Sequence, residues 1–529
     1  MADWAFDLGS AEWDGGDSAP FAVGTAASTD TTTNDNGPGV LWWERIHVHP
    51  REIEVGNIVT TTVVELDVFN AYRDDDKDWD DLDINANGVT VNNPSLPETL
   101  QELEGIELDV TISAEGAANV DGNLTFTFGS TTIVVPLIFQ RLVAIAFVPE
   151  TNVVEDLEWQ TNVIEALSGK EKRQAVRRRP RQSFLYEIAV EDGTERQRLE
   201  NLLFLHTGKL VGVPVWAEPT RLTGDVSIGA TSLSVTSTNY ADYRDDGTAV
   251  IWVDETDFEV VNVESFTTTT ITLATSTANA FDAGAIVMPL RIAQLLSPAG
   301  STRQHLGETR YRLQFIVTDN DTEIADDSAF STYNSKVLLD DPNFGESVRE
   351  SYTRKVHVLD GGSGLRAPYT TSDVARRTSH KQFITDSPQT LWETRQLLHA
   401  LRGRQVSFYL PTFGQEITPT QTLVSGTATM DVANVGFTDT GMVSPRDEIR
   451  VVKTDGTTLE RTVTDVSEID ADEERISVDE NWPSNITVDE IDRVEILELV
   501  RLDSDKIRIQ HKEVGGDATI DLPVKAVLT

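Results

Sequence analysis

The stretch from Lys170 to Trp216, KEKRQAVRRRPRQSFLYEIAVEDGTERQRLENLLFLHTGKLVGVPVW, returns in altered form about 195 positions later. The second copy is Arg376 to Phe413, RRTSHKQFITDSPQTLWETRQLLHALRGRQVSFYLPTF. The helix and its exit align without a gap: Leu202 falls on Leu397, Leu203 on Leu398, Gly208 on Gly403, Val213 on Phe408 and Val215 on Leu410. Duplication constrains the fold more than local propensity does, because both copies must bury their apolar faces in the same way. SFLYEIAV reads as a strand, and GTERQRLENLLFLHTG as a helix with Leu199, Leu202, Leu203 and His206 at spacings of three and four. Thr194 is the expected N-cap, Gly208 the residue past the helix end, and LVGVPVW the returning strand.

Both copies are interrupted at the matching place by short strands with Gly-centred turns, the pattern of a small β-barrel. The expected architecture is mainly β and multidomain. Residues 1–40, poor in apolar side chains, form a flexible N-terminal arm. Residues 41–149, with short alternating runs such as GIELDVTISAEG and TTIVVPLIFQ, form an immunoglobulin-like β-sandwich. The first module spans 150–219 and 286–330 around an inserted barrel at 220–285; the second spans 331–416 and 494–529 around one at 417–493.

Charge narrows the setting. Eighty-seven Asp and Glu against 43 Lys and Arg leave a net charge of −44. At about 1 M salt the Debye length falls to about 3 Å and such self-repulsion is screened, so the composition suits a protein made for high salt. Alternating apolar strands such as TAVIWVDETDFEVVNV argue against a disordered acidic chain, and the same charge disfavours nucleic acid as a general partner. With no cysteine, the chain has no disulfide, thiolate nucleophile or Cys-ligated metal. No run approaches a membrane span, and the N-terminal residues lack a signal-peptide pattern.

Against this acidic background Lys170, Lys172, Arg173, Arg177, Arg178, Arg179 and Arg181 crowd into a dozen residues, and Arg366, Arg376, Arg377, His380 and Lys381 repeat the cluster more weakly. Nucleic acid, an acidic partner or an acidic neighbouring subunit would each account for it. Asp74, Asp76, Asp78 and Asp80 alternate, but without the turn glycine and bidentate glutamate of a calcium loop they read as a solvated acidic loop. His47 and His49 read as a surface pair on one strand face. No P-loop, HExxH, nucleophile elbow or dinucleotide fingerprint occurs, so no enzymatic activity, cofactor or metal is expected.

TNVIEALSGKEKRQAVRRRPRQSFLYEI, the following helix and LHTGKLVGVPVW resemble the distal tail protein family of long-tailed, non-contractile viruses, as does ALRGRQVSFYLPTF in the second copy. The resemblance covers roughly 150–510. It implies tail-tube-like β-sandwich-plus-helix modules in a ring at the tail tip or baseplate of the virion. Joined to the acidic composition, it points to a virus of halophilic archaea. Two modules per chain imply a homotrimer with a pseudo-six-fold lining. Its partners would be the tail tube protein, tail hub or tip and fibre proteins, with transient contact to viral DNA in the lumen. The ten basic residues Lys170, Lys172, Arg173, Arg177, Arg178, Arg179, Arg181, Arg376, Arg377 and Lys381 are then expected at the subunit interface. A tail hub and a halophile surface adhesin or glycan-binding protein are the competing expectations.

Overall fold

The computed structural model describes residues 42–528 except 59–60, 114–118, 142, 151, 304–307, 320–323, 341–346, 363, 365 and 513–514. The expected N-terminal arm lies outside the described residues. The fold is mainly β, built of several sheets. No described helix is long and apolar enough to cross a membrane.

Two four-stranded sheets come first. One runs in the order Ile46–His49, Thr62–Asn70, Gly105–Ile112, Val89–Asn92; the other Ile53–Ile58, Thr131–Arg141, Asn119–Phe128, Asp81–Asn85. Alternate residues turn inward, as the two-residue strand period requires. Leu66, Val68, Leu108 and Val110 of one sheet meet Leu124, Phe126, Val135 and Leu137 of the other around the fully buried Trp79.

Apart from two small two-stranded pairs, Lys77–Trp79 with Glu98–Leu100 and Val356–Asp360 with Arg366–Thr370, the remaining described strands belong to one continuous hydrogen-bonded system of 23 strands. In its first half Glu171–Val190 pairs with Thr309–Val317, which pairs with Ile286–Leu295, which pairs with Leu210–Pro214. In its second half Arg376–Asp386, Asp517–Ala526, Ile491–Leu502 and Ser407–Pro411 pair in the same succession. Each half carries one 14-residue helix, Gly193–His206 or Pro388–Leu401. The first helix begins two residues earlier than expected. Asp192, not Thr194, is the N-cap, its carboxylate accepting from the amides of Thr194 and Glu195. Gly208 follows the helix with φ +84°, as a glycine past a helix end does.

The inserts repeat as well. Ser232–Ser234, Thr270–Leu273, Phe258–Thr267, Gly247–Trp252 and Ile286–Leu295 lie side by side in that order. Thr429–Ala433, Glu473–Val478, Thr458–Glu468, Glu448–Lys453 and Ile491–Leu502 do the same. Each insert has its own core. The expected closed barrels are corrected: the described residues form no closed barrel, because the segments near Leu222 and Pro419 reach Val235 and Val432 only through isolated bridges.

The basic stretch is also corrected. It is not an arm ahead of a strand but part of one 20-residue strand, Glu171–Val190, which pairs with Val153–Glu165 as a long hairpin. A second hairpin precedes the second helix. There Arg349–Thr353 pairs with Arg376–Asp386, and Val356–Asp360 with Arg366–Thr370. The registers correspond position for position. Val154↔Leu185, Thr161↔Ala175 and Glu165↔Glu171 in the first hairpin are matched by Arg349↔His380, Val356↔Thr370 and Asp360↔Arg366, every residue 195 further on. The repeat therefore extends back through the whole hairpin, including strands whose sequences share little.

Candidate functional site

Strand Val153–Glu165 joins the two halves. One edge pairs with Glu171–Val190 and the other with Lys506–His511 of the second half. Its inward residues Leu157 and Trp159 belong to the second half's core. Trp159 meets the His399 ring of the second helix edge-on at 5.6 Å. Beside it Gly403 has φ +63°, and a Cβ there would fall 2.5 Å from Asp505 Oδ1 and 3.1 Å from Trp159 Cβ. That close approach requires glycine.

Charged groups are buried along the same joint. Arg395, on the second helix, binds Glu218 of the first half and Glu155 of the joining strand, the latter at 3.0 Å. Glu155 also meets His511 Nε2 at 3.0 Å and accepts from Gln182 at 2.7 Å. Burial alone would push the Glu155 carboxyl up, but the Arg395 charge and the bonds to His511 and Gln182 outweigh it and hold it far below the carboxylate range. Arg395 is held correspondingly high: burial opposes its charge, and Glu155, Glu218 and Asp242 more than compensate.

Near the hairpin turn, Arg376 binds Glu165 and Glu171, and Arg501 grips Glu171 at 2.8 and 3.1 Å. The Glu171 carboxyl is lowered because Arg501, Lys525 and Arg376 overcome its desolvation. Thr371 Oγ1 donates to the Leu167 carbonyl at 2.7 Å. Asp156 pairs with Arg508 at 2.9 Å and Lys506 at 2.8 Å; Asp505 receives Arg404 at 2.8 Å. At this joint carboxylates of the hairpin enter an arginine-bearing second half. Where both partners are buried, as for Arg395 with Glu155 and Glu218 and for Arg501 with Glu171, removing one would strand the other charge away from water, so these pairs make the two halves interdependent.

The ten predicted basic residues do not converge. Lys170, Lys172, Arg178, Arg179 and Arg181 are exposed along the first hairpin. Arg173 is half-buried, and burial lowers its pKa; Arg177 donates to the Glu158 carbonyl at 3.0 Å. Arg376 lies in the joint. Arg377 and Lys381 lie inside the second half, Arg377 bound to Glu498 at 2.8 Å and Lys381 1% exposed over the Phe413 ring. Burial, with Arg377 beside it, lowers Lys381 to about 8 despite Glu350, Glu498 and Glu495 nearby.

The acidic loop disperses. Asp76, Asp78 and Asp80 accept from the Glu102 amide, Thr99 Oγ1 and the Gly129 amide, and Asp75 pairs with Lys77. No group of three or more candidate ligands for a metal occurs among the described residues. His47 stacks on Trp42 at 4.0 Å and hydrogen-bonds its carbonyl at 2.7 Å.

Glu155, Glu171, Glu218, Arg395, Arg501 and His511 were not singled out by sequence, since Glu155 and His511 are 356 residues apart. One signal was present: Arg395 stands four residues after Leu391 and three before Leu398, inside the helix's buried stripe.

No family model matches the sequence, and no curated protein matches it. Among solved structures it has a likeness to the secreted serine protease VesC from Vibrio cholerae, at 9% identity and a TM-score of 0.15. That likeness covers 45% of this chain and about half, 48%, of the other.

Proposed function

We propose that this chain is a structural virion protein that forms a ring at the distal end of a viral tail, joining the tail tube to the tip or baseplate and the receptor-binding parts. The observation that carries the reading is the joint. One half's hairpin is built into the edge of the other half, and the two halves share one succession of strand pairings. A unit joined head to tail in this way can continue around an axis. On this reading each half is a tail-tube-like module, the 42–149 region an immunoglobulin-like adaptor, and the inserts are spacers or fibre attachments on the outer rim. The net charge of −44 fits an assembly maintained in molar salt. The chain acts as a scaffold with no enzymatic role.

The hub of the same tail tip would use the same architecture at another level. A surface adhesin of strung domains fits less well, because it has no need for a buried ionic joint between successive units. Imaging purified particles with this chain tagged tests the proposal. Label at the tail end supports it, label elsewhere on the particle or on the host surface overturns it, and label at the distal extremity beyond the ring would favour the hub.

A further inference from the structure

The in-chain joint leaves matching surfaces at both ends of the molecule. In the second hairpin, strand Arg349–Thr353 stands where Val153–Glu165 stands in the first, yet its only partner among the described residues is Arg376–Asp386. In the first half, Gly300–Arg303 stands where Lys506–His511 stands in the second, and among the described residues it pairs only with Thr309–Val317. Each is an open β-edge, a template for another strand.

Side chains repeat the correspondence. Leu157, 1% exposed in the joint, is matched by Tyr352 at 63%. His399, under Trp159, is matched on the first helix by Phe204 at 90%, with Leu205 beside it at 57%. Arg354 takes the place of Trp159, and a guanidinium over the Phe204 ring is an attractive pair. Arg376, which receives the first hairpin's Glu165, is matched by the exposed Arg181, and Glu165 by the exposed Asp360. Arg366 replaces Glu171, so the second hairpin brings one carboxylate where the first brings two.

We propose that a second copy of this chain seats its second hairpin on the first helix and the Gly300–Arg303 edge, repeating between molecules the joint already made within one. The register follows from the in-chain pairs Asp156↔Arg508 and Glu155↔Ile509, which become Ser351↔Gly300 and Glu350↔Ser301 between copies. Arg303, 3.9 Å from Glu200, takes the place of His511 opposite the incoming Glu350. The contact comes from the geometry of one chain; its closure after three copies rests on the tail-ring reading. A head-to-tail contact either closes or runs on as a filament, and the repeat inside the chain sets its direction.

Because the chain has no cysteine, engineered pairs report this contact cleanly. Full-length protein carrying Gly300→Cys and Ser351→Cys, oxidised in molar salt, should give a cross-linked ladder ending at trimer, and a Cβ at Gly300 meets open space. Asp156→Cys with Arg508→Cys is the in-chain control for the same register and should cross-link without a change in mass. Oligomers by sizing without the Gly300–Ser351 cross-link would overturn this contact while leaving the ring reading intact. A monomer at every salt and protein concentration would overturn both. As a second arm, Arg181→Glu should weaken self-association about tenfold and adding Asp360→Arg should restore it. A swap that restores nothing removes the proposed pairing of these two residues.

Discussion

The two helices occupy the same place in the same succession of strands, yet only one is enclosed. Pro388–Leu401 buries Leu391, Arg395, Leu397, Leu398 and Leu401, whereas Gly193–His206 buries only Leu199 and His206. The difference comes from what lies outside each half. The joining strand Val153–Glu165 covers the second helix, and nothing described within the chain covers the first in the same way. Equivalent folds thus acquire different energetics from a neighbour, and a residue's importance follows the joint more than the repeat.

The largest expected effect tests that difference directly. Arg395→Ala leaves Glu155 and Glu218 buried without their cation and should cost about 3–5 kcal/mol in denaturant unfolding at fixed salt. Its counterpart Glu200→Ala, on the open helix, should cost less than about 1 kcal/mol. Equal costs would mean that the joint does not distinguish the halves. Acid should act on the same pairs. Glu171 has its folded pKa below its ordinary 4.5, so its contribution is complete above about that pH and is lost as pH falls through the folded value. Glu171→Gln should flatten the acid limb of a stability-versus-pH curve.

Lys381 offers an effect of opposite sign. With a folded pKa of about 8 against an ordinary 10.5, the folded state gives up the proton first, so stability should rise as pH increases from about 8 to 10.5. Lys381→Met should remove that rise and stabilise the protein at pH 7 by at most about 3 kcal/mol. Tyr186 holds the corresponding place in the first half and donates to the Pro214 carbonyl at 2.8 Å; burial holds its phenol well above the ordinary 10.0, so stability should fall as pH rises through about 10, and Tyr186→Phe should remove that fall while leaving the slope nearer pH 8 unchanged.

The two glycines after the helices separate backbone strain from crowding. Gly208→Ala meets open space and should cost about 1 kcal/mol for its positive φ alone. Gly403→Ala should cost about 1–3 kcal/mol more, because its Cβ would enter the Trp159–Asp505 contact. Comparable thermal shifts for the two would argue against crowding at the joint. The smallest expected effect on folding is Phe204→Ser, within about 0.5 kcal/mol for the isolated chain, with the loss appearing in self-association at high salt.

The repeat was legible because it is local. Leucine spacing in the helices, the glycines after them and the apolar returning strands are read from neighbours in sequence, and the strand period survives even where the copies differ. The hairpins were hidden because Val153–Glu165 and Arg349–Thr353 share almost no residues; only strand register shows that they correspond. The basic cluster drew attention as charge, yet much of it lines a strand whose position is set by its partner. The inserts read as closed barrels because turns and short strands are local, whereas closure depends on whether the first and last strands meet.

By itself the sequence determined the duplicated strand–helix–strand unit, the matching inserts, the absence of thiol chemistry and a net charge of −44. Tertiary structure alone decided that Glu155, Glu218, Arg395 and His511 would share one buried network, and that Leu157 would be enclosed while Tyr352 stands open. The physical reason is range: propensity and periodicity act over a few residues, whereas desolvation and ion pairing depend on which distant surfaces are brought together.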